Sequence, residues 1–440
     1  METVSDEESK PIRMSKLTTH ALSPNMRSLK SSPTLVMSEL SRNMAESGQE
    51  IFRLGFGQSP FPVAEEVVQA LIKHVREKDY LPVKGLWALR EAVAAFNQRT
   101  LGIDCKAEQV MVGPGSKELI FTLQYAFYGA LILPSPSWVS YAPQAQISGK
   151  SVSWVDTYSN NHWRLMPEAL EQVCQKKAEI PKLLILNYPN NPTGCTYPPG
   201  ELQALAKVAR KYQLLILADE IYGETHHEGE HVSLASYYPE GTIISSGLSK
   251  WCGAGGWRLG TFTFPKNYLW LQNAMASMAS ETYSAVNAPL QYAAIKAFEG
   301  SPAITSYVKA SQQILQMIGK YVYQKLSEAG VQIAPPSGGF YLFPDFGQAR
   351  PRLEAEALFG SRDMCKALLL DTGVALLPGA DFGRPPQELT ARLSYVDFDG
   401  AQALKAVLEA KTSPTDADFL QTYSPKIIQA CDRIIGWMNR

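Results

Sequence analysis

The stretch KLLILNYPNNPTGCTYPPGELQALAKVARKYQLLILADEIY, residues 182–222, decides the fold. It contains two short, continuous apolar runs, at 182–187 and 214–219, which are typical of strands buried on both faces of a sheet. A helical segment at 200–212 lies between them. Two buried strands joined by a helix predict parallel neighbours in an α/β sheet.

The same pattern continues on both sides of this stretch. Further strand candidates lie at 109–113, 130–134, 151–155, 241–246 and 259–264, and helical segments separate several of them, as at 167–177. The expected fold class is therefore α/β, with a large domain built on a doubly wound, mostly parallel sheet. Because ligands bind at the carboxyl ends of the strands in such sheets, the polar residues that follow each strand are the candidate site.

The rest of the chain is expected to add a smaller α+β domain. Long helical stretches at 303–329 and 361–372 surround short strand candidates at 338–346, 373–379 and 391–396. Other helices are expected at 63–78, 86–99 and 425–440, with a polar loop at 412–423. We divide the chain into a disordered tail (1–20), an N-terminal arm with part of the small domain (21–54), a large domain (55–300) and a small C-terminal domain (301–440).

The composition argues against several classes of protein. The 440 residues carry 41 basic and 42 acidic side chains, so a net charge of −1 disfavours binding to nucleic acid or an anionic membrane through bulk charge. No uncharged apolar run reaches about 18 residues, the length that a membrane-spanning helix needs. The acidic first residues resemble neither a secretory signal nor a transit peptide. Six widely spaced cysteines without a CxxC pair predict free thiols in a reducing compartment, the cytoplasm.

One histidine-rich segment, HHEGEH at 226–231, is a candidate metal site by composition. The spacing of His227 and His231 suits a metal only if the segment is helical. The glycine between them favours a loop instead, so we expect solvated histidines and no metal.

Three strand ends carry candidate binding residues. Ser116 and Lys117 open a helix directly after the strand at 109–113, and helix N-termini bind phosphate through their free N–H groups. Trp138 follows the strand at 130–134, where it could stack on a planar ligand. Asn191 lies in the turn after 182–187, which its prolines and asparagines hold in one shape.

Two further strand ends carry candidate catalytic residues. Asp219 ends a buried strand and needs a cationic partner, because a lone buried carboxylate is costly. Lys250 follows the strand at 241–246 among small residues, which leaves room for a ligand against its amine. A lysine with a lowered pKa forms imines with carbonyl compounds. The simpler interpretation of Lys250 is a surface lysine beside a flexible loop, but this interpretation does not explain why Arg258 follows eight residues later.

These segments together resemble the class I/II aminotransferases, the fold-type-I enzymes that use pyridoxal phosphate. The segment GLSKWCGAGGWRLG (247–260) matches the lysine signature of that family position by position. Matching segments occur in family order, namely YLPVKG with LREA, NNPTG, ADEIY and ARLSY, and the resemblance covers roughly residues 22–400. Within the family, the chain is most similar to the prokaryotic-type aspartate and aromatic aminotransferase subgroup.

The resemblance implies a role for each candidate. Lys250 would form a Schiff base with pyridoxal phosphate and move the proton of the substrate Cα. Asp219 would pair with the pyridine nitrogen, while Tyr222 and Asn191 would bind the phenolic oxygen of the cofactor. The other cofactor-binding residues would be Ser116, Lys117, Trp138, Ser249 and Arg258, with Tyr80 reaching the phosphate in the neighbouring subunit of a homodimer.

The substrate is less narrowly predicted than the cofactor. Arg392 would bind the substrate α-carboxylate, close to Gly57 and Asn191. Lys117, with Lys30 and Thr34 of the arm, resembles the group that binds a distal carboxylate, which favours aspartate or glutamate with a 2-oxo acid. An aromatic substrate stays open, because Phe56, Phe61 and Trp138 could line an apolar pocket.

Two other functions are compatible with the fold. A lyase of the same fold, of the C–S lyase or aminocyclopropane-carboxylate synthase type, would abstract the same proton, so the motifs do not separate it from a transaminase. A regulator that uses such a domain as a sensor needs an N-terminal DNA-binding domain, and about 20 residues before the arm are too few for a helix-turn-helix. We therefore expect an aminotransferase, with the lyase as the alternative.

Overall fold

A seven-stranded sheet lies at the centre of the part of the protein between residues 110 and 263. The computed structural model describes residues 22–27, 29, 33–176, 179–409 and 417–440. The strands of this sheet are β1 (Val110–Gly113), β2 (Ala130–Ser135), β3 (Val152–Asp156), β4 (Lys182–Asn187), β5 (Leu215–Asp219), β6 (Thr242–Gly247) and β7 (Gly260–Thr263).

The order of these strands is β1-β7-β6-β5-β4-β2-β3. Within the described ranges, β7 alone runs antiparallel to its neighbours β1 and β6, and the other adjacent pairs are parallel. The predicted α/β class with a mostly parallel sheet is therefore confirmed.

Helices cover both faces of this sheet because both faces are apolar: successive side chains along a strand lie on opposite faces, and each set is buried. In β4 and β5, Leu183 and Leu217 belong to one buried cluster, while Leu184 and Ile216 belong to another. The α-helices before residue 300 are α1 (Pro33–Glu46), α2 (Glu65–His74), α3 (Trp87–Leu101), α4 (Ser116–Ala126), α5 (Tyr141–Ile147), α6 (Pro167–Lys176), α7 (Pro199–Lys211), α8 (Leu269–Ser280) and α9 (Ala288–Glu299). The expected helix at 63–78 is shorter, since α2 ends at His74.

A second, three-stranded antiparallel sheet forms after residue 300, as the expected α+β region requires. Its strands are β8 (Tyr341–Leu342), β9 (Leu377–Pro378) and β10 (Ala391–Ser394), in the order β8-β10-β9. The helices around it are α10 (Pro302–Glu328), α11 (Arg350–Ala355), α12 (Ser361–Thr372), α13 (Gly400–Glu409), α14 (Ala417–Tyr423) and α15 (Pro425–Met438). The expected strand at 338–346 was too long, because Gly339 has a φ of +67° and Pro344 follows two residues after β8.

The polar loop expected at 412–423 was wrong in its second half. Residues 417–423 form α14, and Phe419, Leu420 and Tyr423 pack against the core around α15. Their spacing places them on one helical face, which short polar neighbours concealed in the sequence. The predicted tail at 1–20 lies outside the described residues, and the division at residues 54 and 300 stays a prediction.

Two further observations bear on the sequence expectations. All six cysteines are buried and free of disulfides. In the ranges that the structure describes, no helix is both long and apolar enough to cross a lipid bilayer.

The central strand β5 should dominate the stability of the large sheet. Leu217 is fully buried there, so Leu217→Ala should lower the free energy of unfolding by about 2–5 kcal/mol through lost contacts and a cavity. Urea titration followed by circular dichroism measures this change. The control is Leu370→Ala on α12, where the side chain is 53% exposed. Equal losses in the two variants would contradict the packing described above.

Candidate active site

A buried carboxylate lies where three neighbouring strands end. Asn187 of β4 pairs in register with Asp219 of β5, which pairs in turn with Ser245 of β6. Asp219 is 3% exposed and accepts hydrogen bonds from Tyr141 Oη at 2.5 Å and Ser245 Oγ at 3.0 Å. Burial raises the pKa of Asp219, and these two hydrogen bonds oppose that rise. In the described part of the chain, no basic side chain forms an ion pair with this carboxylate.

Lys250 enters the same cavity three residues after the end of β6. Its Nζ donates a hydrogen bond to the carbonyl oxygen of Gly57 at 2.6 Å. Burial and, after it, the positive charge of Arg392 lower the pKa of Lys250 to about 7, although the carboxylate of Asp219 opposes this shift. A large fraction of this amine is therefore unprotonated at neutral pH, which is the form that accepts a proton or attacks a carbonyl carbon.

Arg392 reaches the cavity from β10 of the second sheet. Its guanidinium is buried and donates to Asn191 Oδ1 at 3.0 Å and to the carbonyl oxygen of Gly55 at 2.7 Å. The ring of Tyr341 lies 4.7 Å from the guanidinium carbon. Arg392 Nε is buried and has no hydrogen-bond partner among the described residues. A buried guanidinium without a carboxylate partner suits an anionic ligand.

The N-terminus of α4 and Arg258 form an anion-binding corner. The first N–H groups of a helix have no partner within the helix, and they carry partial positive charge. A Cβ atom at Gly115 would lie 2.3 Å from Arg258 Nη2, so the guanidinium sits directly on the turn before α4. Arg258 adopts a left-handed conformation (φ +60°) and donates to the carbonyl oxygen of Gly255 at 2.9 Å.

One cavity of about 730 Å³ joins these groups. Of the predicted site residues, all but one line it, namely Gly57, Ser116, Lys117, Trp138, Asn191, Asp219, Tyr222, Ser249, Lys250, Arg258 and Arg392. The sequence motifs thus converge on one place although they span more than 300 residues.

Tyr80 is the predicted residue that lies outside this cavity. Its side chain is 94% exposed. Lys30 lies outside the described residues, and Thr34 lies in α1. Of the aromatic residues considered for an apolar pocket, Trp138 lines the cavity, whereas Phe61 packs against Phe398 in the core.

Three polar residues of the site were missed by the sequence analysis. Tyr141 and Ser245 bind the carboxylate of Asp219, and Tyr341 Oη lies 2.8 Å from Tyr222 Oη. Ser245 could have been found, because it lies in the strand expected at 241–246, which ends beside that of Asp219. Tyr141 and Tyr341 gave no comparable signal, since they are 78 and 119 residues away from their partners.

The expected solvated histidine loop was wrong. His226 and His227 are each 7% exposed, and the side chain of His231 is 6% exposed. His227 Nε2 lies 3.3 Å from the carbonyl oxygen of Gly339, and His231 Nε2 lies 3.0 Å from Glu220 Oε2. The segment runs beneath the second sheet, which the glycine in the sequence did not indicate.

Comparison with known proteins identifies the family. The profile of the family described as aminotransferase class I and II matches residues 49–406. This chain belongs to the aminotransferase class I and II family. The aspartate aminotransferase of Geobacillus stearothermophilus is 34% identical over 387 residues, covering 85% of this chain and 94% of the relative. The aspartate/prephenate aminotransferase of Thermus thermophilus is 30% identical, covering 88% and 97%.

Solved structures agree with this assignment. The aspartate aminotransferase from Thermus thermophilus with maleate has a TM-score of 0.78 at 29% identity, covering 88% of this chain and 98% of its own. The aromatic aminotransferase from Pyrococcus horikoshii has a TM-score of 0.76 at 25% identity, covering 91% and 98%. The protein is an aminotransferase of a pyridoxal-phosphate-dependent family, and the names of these relatives favour transamination over the lyase alternative.

The charges around Lys250 lead to a pH prediction for the aminotransferase without added cofactor. Reaction of Lys250 with an amine-directed reagent should show a midpoint near pH 7, because its pKa is lowered to about 7. Ordinary lysines should titrate near about pH 10.4. Asp219→Asn should lower the midpoint, since its negative charge raises the pKa of Lys250, and Arg258→Met should raise it.

Mass spectrometry of the peptide that contains Lys250 measures these midpoints, and the exposed lysines of the same sample are the internal control. A wild-type midpoint near pH 10, or shifts of the opposite sign in the two variants, would contradict the electrostatics described above.

Proposed function

We propose that this aminotransferase binds pyridoxal phosphate in the 730 Å³ cavity and transfers an amino group from a dicarboxylic L-amino acid to a 2-oxo acid by a ping-pong mechanism. One observation carries the proposal. A buried carboxylate with no cationic partner among the described residues lines the same cavity as a buried lysine whose pKa is about 7.

The residues of the cavity fit the chemical groups of pyridoxal phosphate. Asp219 offers the negative charge that a protonated pyridine nitrogen needs, and Tyr141 and Ser245 hold its two oxygens in place. The α4 N-terminus with Ser116 and Lys117, together with Arg258 and Ser249, suits the phosphate. Trp138, Tyr222 and Asn191 line the same cavity, where Trp138 would cover the ring and the other two would bind its phenolic oxygen.

When bound, pyridoxal phosphate withdraws electrons from the substrate Cα and makes its C–H bond acidic. The unprotonated amine of Lys250 would accept that proton and return it at a different carbon. The buried carboxylate of Asp219 would keep the proton on the pyridine nitrogen throughout.

Arg392 would bind and orient the substrate. Two parallel hydrogen bonds from a guanidinium to a carboxylate fix the direction of the attached Cα. Asn191 and the carbonyl oxygen of Gly55 hold the guanidinium from one side. A Cβ atom at Gly57 would lie 2.5 Å from Tyr341 Oη, so a side chain here would displace that hydroxyl beside Arg392.

Lys117 supports a dicarboxylic substrate. Its Nζ lies 5.1 Å from the centre of the Trp138 ring, and burial together with the charge of Arg258 lowers its pKa. This ammonium can bind a second carboxylate at the mouth of the cavity. Relatives named as aspartate aminotransferases, one of them solved with the dicarboxylate maleate, support this choice. An aromatic substrate is the second candidate, because Trp138 lines the same cavity.

We further propose a homodimer with shared sites in the cytoplasm. Tyr80 is exposed to solvent in one chain, yet it belongs to a segment that resembles the family's phosphate-binding tyrosine. A second copy would bury this side chain and place it near the phosphate of its partner. Six free, buried cysteines support a reducing compartment.

The central test is Lys250→Ala. This variant should lose transamination and the visible absorbance of bound pyridoxal phosphate, because it lacks the amine that is assigned to bind the cofactor and to move the substrate proton. The assay is consumption of 2-oxoglutarate with a panel of amino donors. Lys84→Ala is a matched control, since Lys84 is also partly desolvated but binds Gln272 and Asn273 instead. Near-normal turnover in Lys250→Ala would contradict the proposed function.

Lys117→Ala separates the two substrate classes. Loss of a charged hydrogen bond of about 1.5–3 kcal/mol should lower kcat/KM for aspartate by about 10- to 150-fold. Activity with phenylalanine should fall much less, because that side chain makes no charged contact. Equal losses with both substrates would mean that Lys117 serves the phosphate alone, and the dicarboxylate preference would be refuted.

The dimer is tested by light scattering and by Tyr80→Phe. The protein should have twice the mass of one chain, and Tyr80→Phe should weaken retention of pyridoxal phosphate by one hydrogen bond to a charged group, about 1.5–3 kcal/mol. Exposed Tyr128→Phe is the control, because it lies outside the matching segment. A fully active monomer would refute the shared site.

A further inference from the structure

A second buried carboxylate lies directly after Asp219 and does not line the cavity. The side chain of Glu220 is 3% exposed. Its Oε1 accepts hydrogen bonds from Tyr188 Oη at 2.8 Å and from Ser233 Oγ at 2.7 Å, and its Oε2 lies 3.0 Å from His231 Nε2. A buried carboxylate is costly unless such partners surround it, so the arrangement calls for a function.

The partners of Glu220 belong to two segments that the chain must hold against β5. Tyr188 begins the turn that carries Asn191, and its hydroxyl also accepts the N–H of Leu234. His231 and Ser233 belong to the segment after the histidine cluster, where Ser233 Oγ also accepts the N–H of Ala235. Glu220 therefore connects the end of β5 to both segments at once.

The same turn is tied to Asp219 by a second route. Asn187 Nδ2 donates to the carbonyl oxygen of Asp219 at 2.7 Å, and Asn187 Oδ1 accepts the N–H of Asn191 at 2.7 Å. The N–H of Glu220 binds the carbonyl oxygen of Ser245 at 3.0 Å, which fixes the peptide after Asp219 against β6. Asn187 and Glu220 thus each connect the end of β5 at Asp219 to the turn that carries Asn191.

We infer that Glu220, acting through Tyr188, His231 and Ser233, is a positioning residue that sets the carboxylate of Asp219 and the amide of Asn191 relative to each other. The inference rests on the proposed cofactor site, because these are the two groups assigned to the ring nitrogen and the phenolic oxygen of pyridoxal phosphate. None of the four residues lines the cavity, so they would act on the cofactor through neighbours that do, such as Asp219 and Asn191.

The fold supplies a matched pair of variants for the test. Tyr188 and Tyr238 are both buried in the same apolar cluster, and each hydroxyl makes a buried hydrogen bond. Tyr238 Oη donates to the carbonyl oxygen of Leu214, which precedes β5 at the end away from Asp219. Tyr188→Phe therefore removes the link to Glu220 together with the bond from the N–H of Leu234, whereas Tyr238→Phe removes one buried bond that has no connection to the site.

The measurement is the Kd for pyridoxal phosphate of the cofactor-free enzyme, followed by quenching of tryptophan fluorescence, alongside the thermal midpoint of each cofactor-free variant. Tyr188→Phe should raise the Kd by about tenfold, equivalent to about 1.4 kcal/mol, while Tyr238→Phe changes it less than about twofold. The thermal midpoints should fall in both, and further in Tyr188→Phe because it also leaves the N–H of Leu234 without its acceptor, so the Kd of Glu220→Gln is the check that the effect is not general destabilisation. Glu220→Gln, which keeps the volume but places an amide group against His231, should raise the Kd as well, and it serves if Tyr188→Phe does not fold.

Equal Kd values in Tyr188→Phe and Tyr238→Phe, or an unchanged Kd in Glu220→Gln, would overturn the positioning role while leaving the cofactor site intact. Failure of the wild-type protein to bind pyridoxal phosphate would instead overturn the proposed function itself. The two failures are therefore distinguishable in one titration series.

Discussion

The burial of the Asp219 carboxylate is the constraint on which the rest of the site depends. A carboxylate at 3% exposure needs hydrogen-bond donors, and the parallel register of β5 and β6 places Ser245 beside it, while Asn187 of β4 binds the backbone carbonyl oxygen of Asp219. Tyr141 adds a donor from the start of α5. The hydroxyl groups of Ser245 and Tyr141 hold the carboxylate in place but do not neutralise its charge. The charge therefore remains available to a cationic ligand in the cavity.

Burial and, after it, excess positive charge around the cavity explain the lowered pKa of Lys250. Arg392, Arg258 and Lys117 each lower the pKa of this amine, and the carboxylate of Asp219 raises it. The same three cations suit the anions that an aminotransferase must hold, namely a phosphate and one or two carboxylates. The electrostatic feature that binds anionic ligands thus also keeps the lysine in its reactive, unprotonated form.

The cavity exists only because two sheets meet. The large sheet supplies Asp219, Lys250 and the anion-binding corner, whereas Arg392 comes from β10 of the small sheet. Hydrogen bonds from Arg392 to Asn191 and to the carbonyl oxygen of Gly55 join the two parts across the cavity. A displacement of one sheet relative to the other would therefore break the hydrogen bond between Arg392 and Asn191.

The sequence by itself determined the α/β class and the strands of the large sheet, because buried strands are local patterns. The polar residues after those strands, together with the resemblance to the aminotransferase family, pointed to eleven of the residues that line the cavity. Only the tertiary structure decided which side chains complete the site. Tyr141 lies 78 residues from Asp219, and Tyr341 lies 119 residues from Tyr222, so no local pattern connects them. The burial of His231 and the helix at 417–423 were likewise decided by long-range packing, which overrode a glycine in one case and polar neighbours in the other.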